Sequence, residues 1–334
     1  MTVSLSQALL TGVYRSGTEY VSLLLSGHPE LSSTMYHVNS LRFIEQSAST
    51  LTVPENLTCA LEETRARLAE RYDFELDITA VRNQVSDGGQ ISRGRLYDAI
   101  MSVLWLKDRK KHWIEKCQLL WREIPEFIET LPNGRAILVI RDPRSVLASF
   151  KKYTYAPNPL YLGAVFNCYD AMAAALGYLK DLPTGRILVV RYEDVSKEPR
   201  RWMEEMFSFL QLDPGLASYD PAVWTDFSKN PWVANSSFDD GQSRFDIEAS
   251  INRWRDHLSP LEIAFAEYVC GQQMREFDYR PEGPELDWPE ILKIILQDKI
   301  VTEYLREFMN TGKGIEAFPT DPLSHINWEE NKIN

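Results

Sequence analysis

Apolar and polar positions alternate in blocks along this chain, and three of the blocks have the same form. ALLTGVY (8 to 14), AILVI (136 to 140) and ILVV (187 to 190) are short apolar runs, each followed at once by a charged or glycine-containing turn. Such runs mark strands buried on both faces of a parallel sheet. HWIEKC (112 to 117) is a weaker strand of the same kind, because polar residues interrupt it. Helical patterns separate the strands. VSLLLSGHPEL reads as a helix that closes near Gly27 and Pro29, and LEETRARLAERY (61 to 72) is amphipathic. WREIPEFIETL and PRSVLASFKKY read as two more, the latter opening on Pro143, where the first turn tolerates proline. Strand and helix in alternation predict an α/β fold: a three-layer α/β/α sandwich around a central parallel sheet.

Beyond this core, SKNPWVANSSFDDGQSRFD (228 to 246) has the composition of a long surface loop, a length often tied to function. RPEGPELDWP then breaks the pattern. ILKIILQDKIVTEYLREFM follows, with apolar residues at 291, 294, 295, 301, 305 and 308, which predicts one helical face. The boundary falls near residue 280: a domain over 1–280, then a C-terminal helical extension over 281–334 that packs on the core or on a partner subunit, the latter making a homodimer.

Charge narrows the partners. The 36 Lys and Arg against 48 Asp and Glu leave a net charge of -12, which argues against nucleic acid and anionic membranes, so any anionic ligand must be met by a local basic site. The densest basic run, KDRKKH (107 to 112), reads as a solvated face. No apolar stretch reaches the roughly 18 residues of a spanning helix, and the N-terminus lacks a basic region before its apolar run. Cys59, Cys117, Cys168 and Cys270 form no C-x-x-C pair, so neither a disulfide framework nor a metal site is expected, and a reducing, cytoplasmic location is. The triplets at Asn56 and Asn235 are then chance matches to the glycosylation signal.

Four stretches carry chemistry. In GVYRSGTEY the spacing of Gly12 and Gly17 matches G-x-x-x-x-G-K-[ST], but Thr18 stands in place of the lysine and Glu19 in place of the hydroxyl. A glycine-bracketed strand-to-helix turn still offers backbone N–H donors at Ser16, Gly17, Thr18 and Glu19 to an anion, and Arg15 adds a planar fork. In RDPRSVLASF, Arg141 leaves a strand end and Ser149 lies about two turns into the next helix, so both can reach one anion at the C-terminal sheet edge. Asp142 and Arg144 read by default as a surface pair. Two anion sites imply a ligand with two separated anionic groups. RYEDV brings Arg191, Tyr192 and Glu193 to the same edge, the tyrosine able to pack on a nucleobase, and INRWRDHLSP interleaves Arg253, Trp254 and Arg255.

In this order, the four stretches resemble the PAPS-dependent sulfotransferases, from about Leu9 to Pro260. GVYRSGTEY resembles that family's 5′-phosphosulfate loop, RDPRSVLAS its 3′-phosphate motif, RYEDV its R-Y-E-D-L, and NRWRDHLSP its segment closing over the nucleotide. The resemblance implies a P-loop-like fold related to nucleotide kinases, with 3′-phosphoadenosine 5′-phosphosulfate (PAPS) as co-substrate, the bisphosphate PAP as product and no metal. The 5′ end would lie on Arg15, Ser16, Gly17, Thr18, Glu19 and Tyr20, the 3′-phosphate on Arg141 and Ser149, and the nucleotide against Tyr192, Arg253 and Trp254. Arg15 would neutralise the leaving phosphate oxygen and Lys116 would help hold the sulfuryl group. The general base, a histidine or glutamate in the family, is expected at His37, with Glu115 second and His112 third. The acceptor is a hydroxyl of a carbohydrate or small natural product, met by residues 34 to 110 and 155 to 170. A kinase-like phosphotransferase and a non-catalytic PAP(S)-binding homologue are the alternatives.

Overall fold

The computed structural model describes residues 6–35, 54–86, 91–105, 112–153, 160–225 and 247–314. Among the described residues five parallel strands form the sheet: β1 (Gln7–Gly12), β2 (Leu31–Met35), β3 (His112–Lys116), β4 (Gly134–Ile140) and β5 (Ile187–Arg191), in the order β2-β3-β1-β4-β5. The helices are α1 (Thr18–Leu25), α2 (Pro54–Tyr72), α3 (Ile78–Ser86), α4 (Arg93–Trp105), α5 (Ile124–Thr130), α6 (Pro143–Tyr153), α7 (Ala164–Asp181), α8 (Tyr192–Lys197), α9 (Pro199–Phe209), α10 (Ile247–Asn252), α11 (Trp254–His257), α12 (Pro260–Glu276), α13 (Trp288–Ile295) and α14 (Lys299–Thr311). Among the described residues no helix is long and apolar enough to cross a membrane.

Side chains on a strand alternate between faces, and the core divides accordingly. Ala8, Leu10, Ile114, Ile137 and Val139 bury against α1 and α9, joining Val21, Leu24, Met206 and Phe207. Leu9, Trp113, Ala136 and Leu138 bury on the opposite face with residues of α4, α7 and α12, among them Tyr97, Phe166 and Phe265. Two covered faces make the three layers. Because every strand runs the same way, the turns after β1, β3, β4 and β5 all open on one edge of the sheet.

The single C-terminal helical face is two helices. Asp298 interrupts the run and caps α14 by accepting from the Ile300 and Val301 N–H groups, while Asp287 and Glu290 form a capping box at the start of α13. The face itself survives the break. Ile291, Ile295, Val301 and Leu305 lie in the same cluster as α7 and α12, and Phe308 packs on Phe166 and Tyr169. WREIPEFIETL is helical only from Ile124, and the apolar run at the start of the chain leaves the sheet at Gly12, with Val13 and Tyr14 in the turn.

Candidate functional site

The turn after β1 is shaped by two left-handed residues, Arg15 (φ 67) and Gly17 (φ 94). A Cβ on Gly17 would lie 2.1 Å from Cδ2 of Tyr192, so the position needs glycine for space as well as for φ. The turn is closed by the Ser16 N–H donating to the Val13 carbonyl at 3.0 Å. It delivers the chain into α1 with Gly17 as N-cap and no side-chain cap, leaving the first N–H groups of the helix for a ligand.

The turn after β4 supplies the cations' scaffold. Arg15 Nε donates to Ser149 Oγ at 2.9 Å, joining the first and second sequence motifs directly. Arg141 donates through Nη1 to the Arg15 carbonyl at 2.9 Å and through Nη2 to the Ser250 carbonyl at 2.7 Å, while its guanidinium lies 4.2 Å from the centre of the Tyr192 ring. Ser145, one turn before Ser149, donates to the Ile251 carbonyl at 3.0 Å. These bonds draw the four motifs around one cleft of about 670 Å³, part of it open to solvent. Arg15, Gly17, Thr18 and Glu19 line it from the first motif, Arg141 and Ser149 from the second, Tyr192 from the third, Arg253 and Trp254 from the fourth.

Several side chains stand elsewhere than expected. Tyr20 is buried and does not line the cleft, its ring edge-on to Tyr192 at 6.2 Å between centroids, and burial pushes its hydroxyl pKa up. Ser16 is buried as well, and its Oγ has no hydrogen-bond partner among the described residues. Glu193 holds the fold together: it accepts from the Asp142 N–H at 3.0 Å and from the Tyr279 hydroxyl at 2.6 Å, and burial, then Asp142, raises its pKa. Asp142 and Arg144 are no surface pair. Their side chains are 9% and 3% exposed, Arg144 bonds Asp142 at 2.7 Å and Glu267 at 2.6 Å, and its guanidinium stacks 4.1 Å from the Trp254 ring, with Arg255 4.4 Å from that ring too.

The candidates for the base separate by the parity of β3. Trp113 faces the α4 side and Ile114 the α1 side, so Glu115 follows the former and Lys116 the latter. Glu115 is fully buried and accepts a hydrogen bond from the Tyr97 hydroxyl on α4, away from the cleft. His112 begins β3 at the opposite edge of the sheet, its Nδ1 accepting from the Ser6 N–H at 2.9 Å. Neither is placed to take a proton from an acceptor in the cleft. His37 lies outside the described residues, as do 107–111 of the basic run and the loop at 228–246. Lys116 ends β3 beside the glycine turn and is 2% exposed; burial pushes its pKa down to about 8, against the field of Glu19 and Cys117 and with that of Arg15. Two residues on, Gln118 donates to Thr18 Oγ1 at 3.0 Å and lines the cleft. Gln118, Ser145 and Ser250 were missed from the sequence. Only Ser145 left a signal, standing four residues before Ser149 on one helix face.

A parallel sheet with an uncapped helix opening behind a glycine turn, and two arginines at the same edge, defines an α/β protein of the P-loop-like class. The Sulfotransferase family model matches residues 8–214, and the chain belongs to that family. Over 179 residues it is 26% identical to carbohydrate sulfotransferase 1 of Mus musculus, covering 46% of this chain and 40% of that protein. Over 179 residues it is 28% identical to carbohydrate sulfotransferase 3 of Mus musculus, covering 46% and 37%. The chain therefore spans less than half the length of these curated relatives. In fold it is similar to the sulfotransferase domain from the Synechococcus PCC 7002 olefin synthase, with TM-score 0.53, 20% identity and coverage of 83% of this chain and 96% of that one. A sulfotransferase domain from the curacin biosynthetic pathway gives TM-score 0.52 at 15% identity, covering 84% and 99%.

Proposed function

We propose that this protein transfers a sulfuryl group from PAPS to a hydroxyl of a carbohydrate or small-molecule acceptor. The observation that carries the reading is the Arg15–Ser149 hydrogen bond, which puts the uncapped α1 terminus and the Arg141–Ser149 pair in one cleft. That arrangement suits a nucleotide with anions at two ends. The residues present fit such a ligand: helix N–H groups without a cap, the arginines of both motifs, and a buried Arg141 Nε with no partner among the described residues. Bound there, PAPS supplies the activated sulfuryl group.

The chain's part is positioning and charge. The α1 N–H groups and Arg15 hold the 5′ end, Arg15 offsets charge on the leaving phosphate oxygen, and Arg141 with Ser149 holds the 3′-phosphate. Lys116, close to half-charged near its pKa of about 8, faces the sulfuryl side. The names of the curated relatives support a carbohydrate acceptor. Thr18 at the position of the nucleotide-kinase lysine weighs against a phosphotransferase.

Thermal unfolding with PAP, ATP and AMP tests the nucleotide. At a few hundredfold excess of PAP over its Kd the protein should gain about 3 kcal/mol. The absence of a PAP-selective shift defeats the proposal, and a shift with ATP alone favours the phosphotransferase. Arg15→Ala should abolish transfer from PAPS while retaining PAP binding within about tenfold, and Arg141→Ala should weaken PAP by more than about tenfold. A PAP-selective shift without turnover on any hydroxyl acceptor identifies a non-catalytic binder.

A further inference from the structure

Glu19 is the only carboxylate among the described residues that line the cleft, against three guanidinium groups. Its side chain is exposed, and it occupies the second position of α1, among the N–H groups that face the ligand. Its backbone and its side chain therefore act on one anion with opposite sign: the amide attracts and the carboxylate repels. The repulsion grows with the charge placed at the loop. Lys116, buried at the end of β3, feels the Glu19 carboxylate, and Gln118 ties that strand end to Thr18.

The proposed reaction moves charge across this short distance. The acceptor oxygen bonds to sulfur and its proton passes to a general base or to solvent water, the bond from sulfur to the bridging oxygen breaks, and its electron pair stays on the 5′-phosphate. Before transfer the phosphate carries one negative charge and the sulfuryl group, nearer Lys116, carries the other. After transfer the phosphate of PAP is a monoester with a second pKa of about 6, so near neutral pH it carries close to two charges by itself.

We infer that Glu19 is a specificity-determining residue whose carboxylate sets the loop against a doubly charged terminal 5′-phosphate, favouring the sulfuryl-bearing substrate over the desulfated product. This rests on the function proposed above. Glu19 thus speeds product release, and it also disfavours any nucleotide that ends in a phosphate dianion at this loop. Neutralising it acts doubly in one direction, because Lys116 then loses the field that helps it keep its proton beside the sulfuryl group.

Isothermal titration of the full chain and of Glu19→Gln at low salt, with PAP, PAPS and 3′-AMP as probes, tests this. Glu19→Gln should tighten PAP by about tenfold and PAPS by less than about threefold, with 3′-AMP, which lacks the 5′-phosphate, unchanged. Product inhibition by PAP should strengthen in parallel. Equal shifts for PAP and PAPS, or an unchanged PAP affinity, overturn the inference and leave the proposed function standing. If the unaltered protein binds neither PAP nor PAPS, the functional reading falls and this inference falls with it.

Discussion

Replacing Lys116 with methionine isolates the cost of keeping a charge at the end of β3. Burial draws the ammonium's pKa from 10.5 to about 8. In that window the unfolded chain holds a proton that the folded protein has released, so stability rises with pH. Below about 8 the lysine is charged in both states and the whole cost stands; above 10.5 it is neutral in both and the cost is gone. The difference of 2.5 between those two values, at about 1.36 kcal/mol per unit, amounts to about 3 kcal/mol. Methionine has similar length and no proton to lose. Urea denaturation of both proteins at steps from neutral pH to above 10.5 should therefore show the stability of Lys116→Met, relative to the unaltered chain, falling by about 3 kcal/mol across the window. Parallel pH profiles would refute the argument, because other titrating groups are common to both proteins and cancel.

Two further substitutions probe the frame of the cleft. Arg144→Ala leaves Asp142 and Glu267 buried without their cation and should cost about 3 to 5 kcal/mol in urea denaturation, with Arg144→Lys losing less; a loss below about 1 kcal/mol would mean the pair is solvated after all. Gly17→Ala forces a side chain into φ 94 and into the Tyr192 ring, so it should cost at least about 1 kcal/mol and weaken PAP more than about tenfold, since Tyr192 supports Arg141. Unchanged PAP affinity by calorimetry would show that the ring is not needed there.

The strands that were legible are those with a continuous apolar run: β1 and β4, which are central and buried, and β5, an edge strand in which only Val190 is fully buried. The runs ALL in β1, AILVI in β4 and ILVV in β5 stand out, and the motifs that follow them fall at one edge because the sheet is parallel. β2 was illegible for the opposite reason: Leu31–Met35 is an edge strand whose Ser32, Ser33 and Thr34 carry no apolar run. β3 hid its meaning in its parity. Glu115 and Lys116 are adjacent in sequence and face opposite layers, so both cannot serve one cleft, and counting from Trp113 and Ile114 would have separated them. Arg144 misled because its second carboxylate, Glu267, is 123 residues away, a distance no local pattern spans.

The wall of the cleft opposite the glycine turn owes its position to that same buried arginine. Trp254 has Arg144 stacked at 4.1 Å and Arg255 at 4.4 Å; Arg255 is bonded to Glu282, whose N–H donates to Glu267, the partner of Arg144. The ring is thereby held by a closed circuit of contacts that runs through Arg144, at the start of α6. Ser250 and Ile251 are fixed to the same turn through Arg141 and Ser145. On the proposed function, a wall held this way would leave nucleotide binding with few side chains to arrange. The arginine outside the cleft thus supports the wall that faces the arginines lining it. Its loss should reach the nucleotide as well as the fold, which distinguishes Arg144 from an ion pair that merely stabilises.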